Sequence, residues 1–224
     1  MPQLEAAVFD AYGTLLDVHA AMQRHADRLP PDWERISAEW RQKQLEYTWI
    51  RTLTGPEQHR DFWQITQEAL DFVATRHGIG DADVKLQLLE TYRELPAYPD
   101  AQPTLASLRQ RGVRTAILSN GEPETLSKAV EAAGLTSLLE AVISVEEAGV
   151  FKPDPRVYAL AERHLGLPLP RMAFVSSNAW DAQAAALAGF RVFWCNRSGQ
   201  PFEYGLDRSA KPIRGLGELE ALLA

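Results

Sequence analysis

Apolar residues along this chain follow two different spacings, and the switches between them outline a fold. Five short runs are almost continuously apolar: AAVFDAY from Ala6, VRTAILSN from Val113, AVISVEE from Ala141, MAFVSSN from Met172 and FRVFWCN from Phe190. Runs this short, rich in β-branched and aromatic residues, predict strands buried on both faces. Four of the five lie in the second half of the chain. Between them apolar positions recur every three or four residues: Leu105 and Leu108 after Thr104, then Leu126, Val130 and Ala133, then Val157, Leu160, Ala161 and Leu165. That spacing gathers apolar side chains on one helix face. Strand and helix in alternation predict an α/β chain, a Rossmann-like parallel sheet with helices on both faces.

The stretch between the first and second strands keeps the helical spacing throughout. SAEWRQKQLEYTWIRTL, then PEQHRDFWQITQEALDFVATRHG with Phe62, Ile65, Ala69, Phe72 and Val73, then DADVKLQLLETYREL read as three helices without an intervening strand. The turn Leu95-Pro96-Ala97-Tyr98-Pro99 brings the chain back to the sheet. The expected organisation is a core of residues 1–16 and 97–224, with a helical unit of residues 17–96 inserted after the first strand.

Composition narrows the function classes. The chain has 224 residues, 46% of them apolar, enough to fill a sizeable core. Its 23 Lys and Arg against 30 Asp and Glu give a net charge of −7 without a basic run, which argues against nucleic acid or an anionic membrane as partner. A small anion remains a possible ligand, because a local cationic pocket outvotes net charge. MPQLEAA lacks a basic leader, and no run approaches the roughly eighteen apolar residues of a membrane span, so a cytoplasmic protein is expected. The lone Cys195 excludes an internal disulfide and reads as a buried thiol. His19, His25, His59, His77 and His164 lack metal-ligand spacing and read as surface residues, so no metal is expected.

In an open parallel sheet, ligands bind beyond the carboxyl ends of the strands, near the point where strand order reverses. Four strand ends here carry polar residues: Asp10, the triplet Ser119-Asn120-Gly121, Lys152 beyond the third strand, and Ser176-Ser177-Asn178 followed by Asp181. An aspartate at a strand end can be a cap, an ion-pair partner or a nucleophile. The turn residues Tyr12, Gly13 and Thr14 would leave the Asp10 carboxylate at the sheet edge, which favours the nucleophile.

FDAYGTL, LSNG, VFKPDPRVY and FVSSNAWDA, in that order, resemble the four motifs of the haloacid dehalogenase superfamily. WRQKQLEYTW in the insert resembles the cap helix of its 2-haloacid dehalogenase branch, so the resemblance covers nearly the whole chain. It implies that residues 17–96 form a cap domain, that no cofactor is used, and that the protein is a homodimer. Most of the superfamily are phosphatases. Such a phosphatase adds a second acid two residues after the aspartate, to protonate the leaving alkoxide, and an acidic cluster for Mg²⁺. Position 12 here is tyrosine, and the last motif carries one acid, Asp181. A halide departs as a stable anion and needs positive charge and hydrogen-bond donors instead of a proton.

The resemblance therefore implies a hydrolase that dehalogenates a short (S)-2-haloacid to the (R)-2-hydroxy acid through an Asp10 ester, with inversion. It implies that Lys152 and Thr14 support Asp10, that Ser119 and the backbone N–H groups of Ala11 and Tyr12 hold the substrate carboxylate, and that Arg41 and Asn120 receive the halide. Asp181 would activate the hydrolytic water, with Ser176, Asn178 and Lys152 positioning it. Leu45, Phe62, Trp180 and Tyr158 would line the substrate site with Tyr12, and the alternative for Tyr158 and Asp181 is a purely structural pair. Two alternatives stay open: a phosphatase acting on a small phosphoester, and a non-catalytic scaffold of the same fold.

Overall fold

The computed structural model describes residues 4–222. Six parallel strands, β1 (Ala6–Phe9), β2 (Arg114–Ser119), β3 (Ala141–Ser144), β4 (Met172–Ser176), β5 (Arg191–Cys195) and β6 (Ala210–Ile213), form one sheet in the order β3-β2-β1-β4-β5-β6. Ala6, Ala7, Val8 and Phe9 are all fully buried. Successive strand residues face opposite sides, so this central strand is covered on both faces, as a continuously apolar run requires. The covering helices include α5 (Ala101–Gln110), α6 (Pro123–Ala132) and α7 (Pro155–Leu165), whose apolar residues were legible from their spacing, and α8 (Ala179–Ala188), which was not read from spacing.

Phe9 pairs with Ile117 of β2 on one side and Val175 of β4 on the other. The chain runs outward from β1 to β3 and then crosses back to β4, so strand order reverses between β1 and β4. A crevice at the carboxyl ends of these two strands follows from that reversal.

β6 was not expected from the sequence. Its four residues, AKPI, carry an exposed lysine and a proline, and among the described residues it pairs with β5 alone, through Trp194↔Pro212 among others. Proline is tolerated at a sheet edge because no further strand needs its missing N–H.

Between β1 and β2 lie α1 (Ala20–Arg24), α2 (Trp33–Thr54), α3 (Phe62–His77) and α4 (Ala82–Arg93). The segment PEQHR does not join α3 as its apolar spacing suggested. Pro56–Gln58 is a short 3₁₀ turn, and α3 begins at Phe62 because Asp61 builds a capping box: its carboxylate accepts the Gln64 N–H (2.7 Å) while the Gln64 side chain accepts the Asp61 N–H (3.2 Å). The short α1 was also not foreseen.

His19 and His164 are exposed, as expected, and His25, His59 and His77 are half-buried. Each finds a hydrogen-bonding partner: Ser37 for His19, Thr91 for His25, Glu146 for His59, Glu39 for His77 and Glu147 for His164. Cys195 is buried on β5. No helix among the described residues is long and apolar enough to cross a membrane.

Candidate active site

The Asp10 N–H still donates to Val175 O (2.9 Å), which fixes its backbone at the mouth of the crevice. The chain then doubles back: Leu15 and Leu16 donate to Ala11 O (2.9 and 3.0 Å), and Gly13 adopts φ +91°, a left-handed conformation that glycine adopts without steric cost. Thr14 is thereby returned to the carboxylate. Its hydroxyl donates to Asp10 Oδ2 (3.1 Å) and accepts the Ser177 N–H (2.8 Å). Asn178 Nδ2 donates to the same oxygen (2.9 Å), and Lys152 Nζ to Oδ1 (3.1 Å). Three donors from three loops hold one buried carboxylate in a fixed orientation.

Lys152 is 1% exposed, and its ammonium also reaches Asp181 Oδ2 at 2.9 Å. Burial works against its charge, but the Asp10 and Asp181 carboxylates outweigh it and raise its pKa. Asp181, in the first turn of α8, is fully buried, and its other oxygen accepts the Tyr158 hydroxyl at 2.6 Å. Burial pushes the Asp181 pKa up, with Asp10 adding and Lys152 opposing. The Tyr158 phenol is raised well above its usual value by burial and then by Asp181, so it stays a donor.

Asn120 Oδ1 accepts the Lys152 backbone N–H (3.0 Å), leaving its NH₂ end to serve another group. The Ser119 hydroxyl accepts the Gly121 N–H (3.0 Å) and keeps its own proton to donate. Ser176 Oγ accepts the Asn178 N–H (3.1 Å), so it steadies the loop that carries Asn178. From above, Arg41 on α2 donates to Tyr12 O (3.1 Å). The Tyr12 ring packs against Phe62 (5.3 Å) and Tyr92 (5.7 Å), Trp180 meets Trp49 edge-on (5.5 Å), and half-buried Leu45 follows one turn after Arg41.

A hydrogen-bonded nucleophile candidate, a lysine shared between two acids, and four motifs in order thus meet at one crevice. A family model described as haloacid dehalogenase-like hydrolase matches residues 4–189. The chain belongs to that family. (S)-2-Haloacid dehalogenase 1 of Pseudomonas sp. (strain CBS-3) is 47% identical over 224 residues, covering 100% of this chain and 98% of that protein. A crystal structure of a dehalogenase is 45% identical with a TM-score of 0.96, covering 100% of this chain and 99% of the other. L-2-Haloacid dehalogenase from Xanthobacter autotrophicus, solved with chloropropionic acid covalently bound, is 36% identical with a TM-score of 0.87, covering 99% and 98%.

Within this member of the family, Asp10, Thr14, Lys152, Asn178, Asp181 and Tyr158 form one connected network, and Asn120 joins it through the Lys152 backbone. Ser119 and Ser176 face the same edge but bond within their own loops. Among the described residues no three His, Cys, Asp or Glu side chains gather as a metal-holding group. The cation between the two network carboxylates is an ammonium.

Sequence reasoning missed several members of this framework. Tyr92 stacks on Tyr12 and donates to Gln44 Oε1 (3.2 Å), a partner that the Val84, Leu88, Tyr92 stripe of α4 could have signalled. Arg197 forms a two-pronged pair with Asp100 (2.7 and 2.9 Å) and donates to Thr14 O (3.2 Å), bracing the turn behind the nucleophile candidate. Its place just past β5 is another polar strand end, so the rule that found Asp10 could have found it.

Proposed function

We propose that this chain hydrolyses a short-chain (S)-2-haloacid to the (R)-2-hydroxy acid and halide through an ester on Asp10. The carrying observation is the Asp10 carboxylate, held by Thr14, Lys152 and Asn178, beside a position 12 filled by a buried tyrosine instead of an acid. An Asp10 oxygen forms a bond to the halogen-bearing carbon from the side opposite the halogen. The carbon–halogen bond breaks and the halide leaves with the electron pair. A carboxylate is a modest nucleophile, so alignment carries much of the acceleration, and effective molarity supplies on the order of 7–11 kcal/mol.

The Ser119 hydroxyl and the N–H groups of Ala11 and Tyr12 hold the substrate carboxylate. Arg41 and the Asn120 NH₂ receive the halide, the one arriving on α2 and the other oriented by the Lys152 backbone. Tyr12, Leu45, Phe62 and Trp180 exclude bulk water, which strengthens each of these interactions. Water, positioned by Ser176, Asn178 and Lys152, then attacks the ester carbonyl of Asp10. Asp181 accepts its proton, and burial makes it a stronger base than an ordinary carboxylate. Cleavage of the acyl–oxygen bond, with the proton on Asp181 passing to the departing alkoxide oxygen, frees the hydroxy acid; the Asp10 carboxyl gives up its remaining proton to solvent, and both acids are restored.

In this reading residues 17–96 act as a cap domain over a core of 1–16 and 97–224, and the enzyme works in the cytoplasm as a homodimer. Exposed Ile50, Leu53 and Phe72 on α2 and α3 support an interface on the cap.

The deciding experiment measures halide release from each enantiomer of 2-chloropropionate in the presence of a chelator. p-Nitrophenyl phosphate with magnesium is the comparison and Asp10→Asn the control. Release from the S enantiomer, abolished in the variant, is expected; magnesium-dependent phosphate release without halide overturns the proposal. A single turnover in heavy-oxygen water is expected to label the Asp10 carboxylate, whereas label only in the product would mean direct attack by water.

A further inference from the structure

Helix α2 lies along the strand ends and touches segments that follow three of the strands. Arg41 reaches the Tyr12 carbonyl, Trp49 meets Trp180, and Thr52 reaches Phe151, over a span of about 16 Å at 1.5 Å per residue. Phe151 is fully buried and immediately precedes Lys152, and its N–H donates to Thr52 Oγ1 (3.2 Å). Its ring stacks on that of His59, with centroids 5.1 Å apart and planes at 24°. His59 lies in the link between α2 and α3, so both partners of Phe151 come from the insert.

His59 is itself held from the core. Its Nε2 sits 3.0 Å from Glu146 Oε2, the Glu146 N–H donates to Ser144 Oγ (3.2 Å), and that hydroxyl donates to Gly121 O (2.7 Å). One residue after the clamp, the Lys152 N–H orients Asn120. The two-residue segment Phe151-Lys152 is thus gripped by the insert at one amide and by the halide-binding loop at the next.

We propose that Thr52 and His59 are positioning residues for the reaction: by clamping Phe151 they set where the Lys152 ammonium and the Asn120 amide stand. The inference rests on the dehalogenase reading above. Neither residue bonds to Asp10 or Asp181; they act through the backbone of the segment that carries Lys152. The lysine stem is long and flexible, so its backbone anchor must be fixed if its ammonium is to meet both carboxylates. A misplacement near 1 Å from a change remote from the chemistry costs up to roughly 10²-fold in rate.

The test uses Thr52→Val, which keeps the shape and removes the acceptor, Thr52→Ser, which keeps the hydroxyl, and His59→Ala with His59→Phe, which keeps a ring against Phe151. Each full-length variant is assayed for halide release from (S)-2-chloropropionate, with its melting temperature recorded. Thr52→Val and His59→Ala are expected to lower kcat about 10- to 100-fold while KM stays within about 2-fold, the signature of lost alignment. Thr52→Ser and His59→Phe are expected to recover most of kcat. Folded Thr52→Val and His59→Ala with unchanged kcat and only a lower melting temperature overturn the proposal. If His59→Ala does not fold, an unchanged kcat in Thr52→Val alone does so. Absence of halide release from the unsubstituted protein would instead overturn the dehalogenase reading.

Discussion

The Lys152 ammonium stands 3.1 Å from Asp10 Oδ1 and 2.9 Å from Asp181 Oδ2, one buried cation shared by two buried carboxylates. The shared ammonium is what makes two adjacent buried acids tolerable.

Lys152→Met is therefore expected to harm both stability and rate. Removing one partner of a buried ion pair costs about 3–5 kcal/mol, and losing a preorganised donor costs about 10²–10³-fold in kcat. Lys152→Arg is expected to leave most of the deficit, because a planar fork does not fit the place of a compact ammonium between two carboxylates. Thermal melting and halide release check both; near-normal turnover in Lys152→Arg would contradict the point-charge role.

The Tyr158 hydroxyl favours the charged form of Asp181, so Tyr158→Phe moves the Asp181 pKa further upward from a value already raised by burial. Asp181 can accept the proton of water only when deprotonated. The acid limb of the kcat–pH profile is expected to shift to higher pH in Tyr158→Phe, with a loss under about 10-fold above the limb, since one hydrogen bond contributes about 1 kcal/mol. Linkage has the matching sign. The folded protein holds this proton more tightly than the unfolded chain, so the contribution to stability is fully present below the ordinary aspartate range. It is lost as pH rises through the raised pKa. A limb that stays in place would remove Asp181 as base.

The strands, the helical insert and the Asp10, Lys152 and Asp181 constellation were legible because each is local: an apolar run with a polar end, or a motif a few residues long. Arg197 was not, because its role is a hydrogen bond to the Thr14 carbonyl across 183 residues, which no window along the chain contains. β6 was missed for the opposite reason. An edge strand of four residues with two exposed positions has neither the length nor the apolar content of a buried one. The start of α3 shows local chemistry overriding period: apolar spacing allowed an earlier start, and the Asp61–Gln64 capping box set the later one.

Chelation offers a separate check on the reaction type. Mg²⁺ demands a near-octahedral set of oxygens, and here the space between Asp10 and Asp181 holds the Lys152 ammonium. Halide release is expected to be unchanged by EDTA and unchanged by added magnesium. Loss of activity in EDTA with recovery on magnesium would point back to metal-dependent chemistry.

Gly121 tests the packing around Tyr12. A Cβ there would lie 2.9 Å from Tyr12 Cε2, 3.2 Å from its hydroxyl and 3.3 Å from Leu126 Cβ. The tyrosine has little room to retreat, because Phe62 and Tyr92 pack against it at 5.3 and 5.7 Å. Gly121→Ala is therefore expected to destabilise the fold by about 1–3 kcal/mol, the usual cost of overpacking, and, if Tyr12 has the pocket-lining role proposed for it, to raise KM. Shrinking the obstructing ring makes the cause visible: Tyr12→Leu combined with Gly121→Ala should melt at a higher temperature than the two single effects added together. Strict additivity in a double-mutant cycle would mean that the two side chains do not collide, and that Gly121 serves the loop's backbone and not the space beside Tyr12.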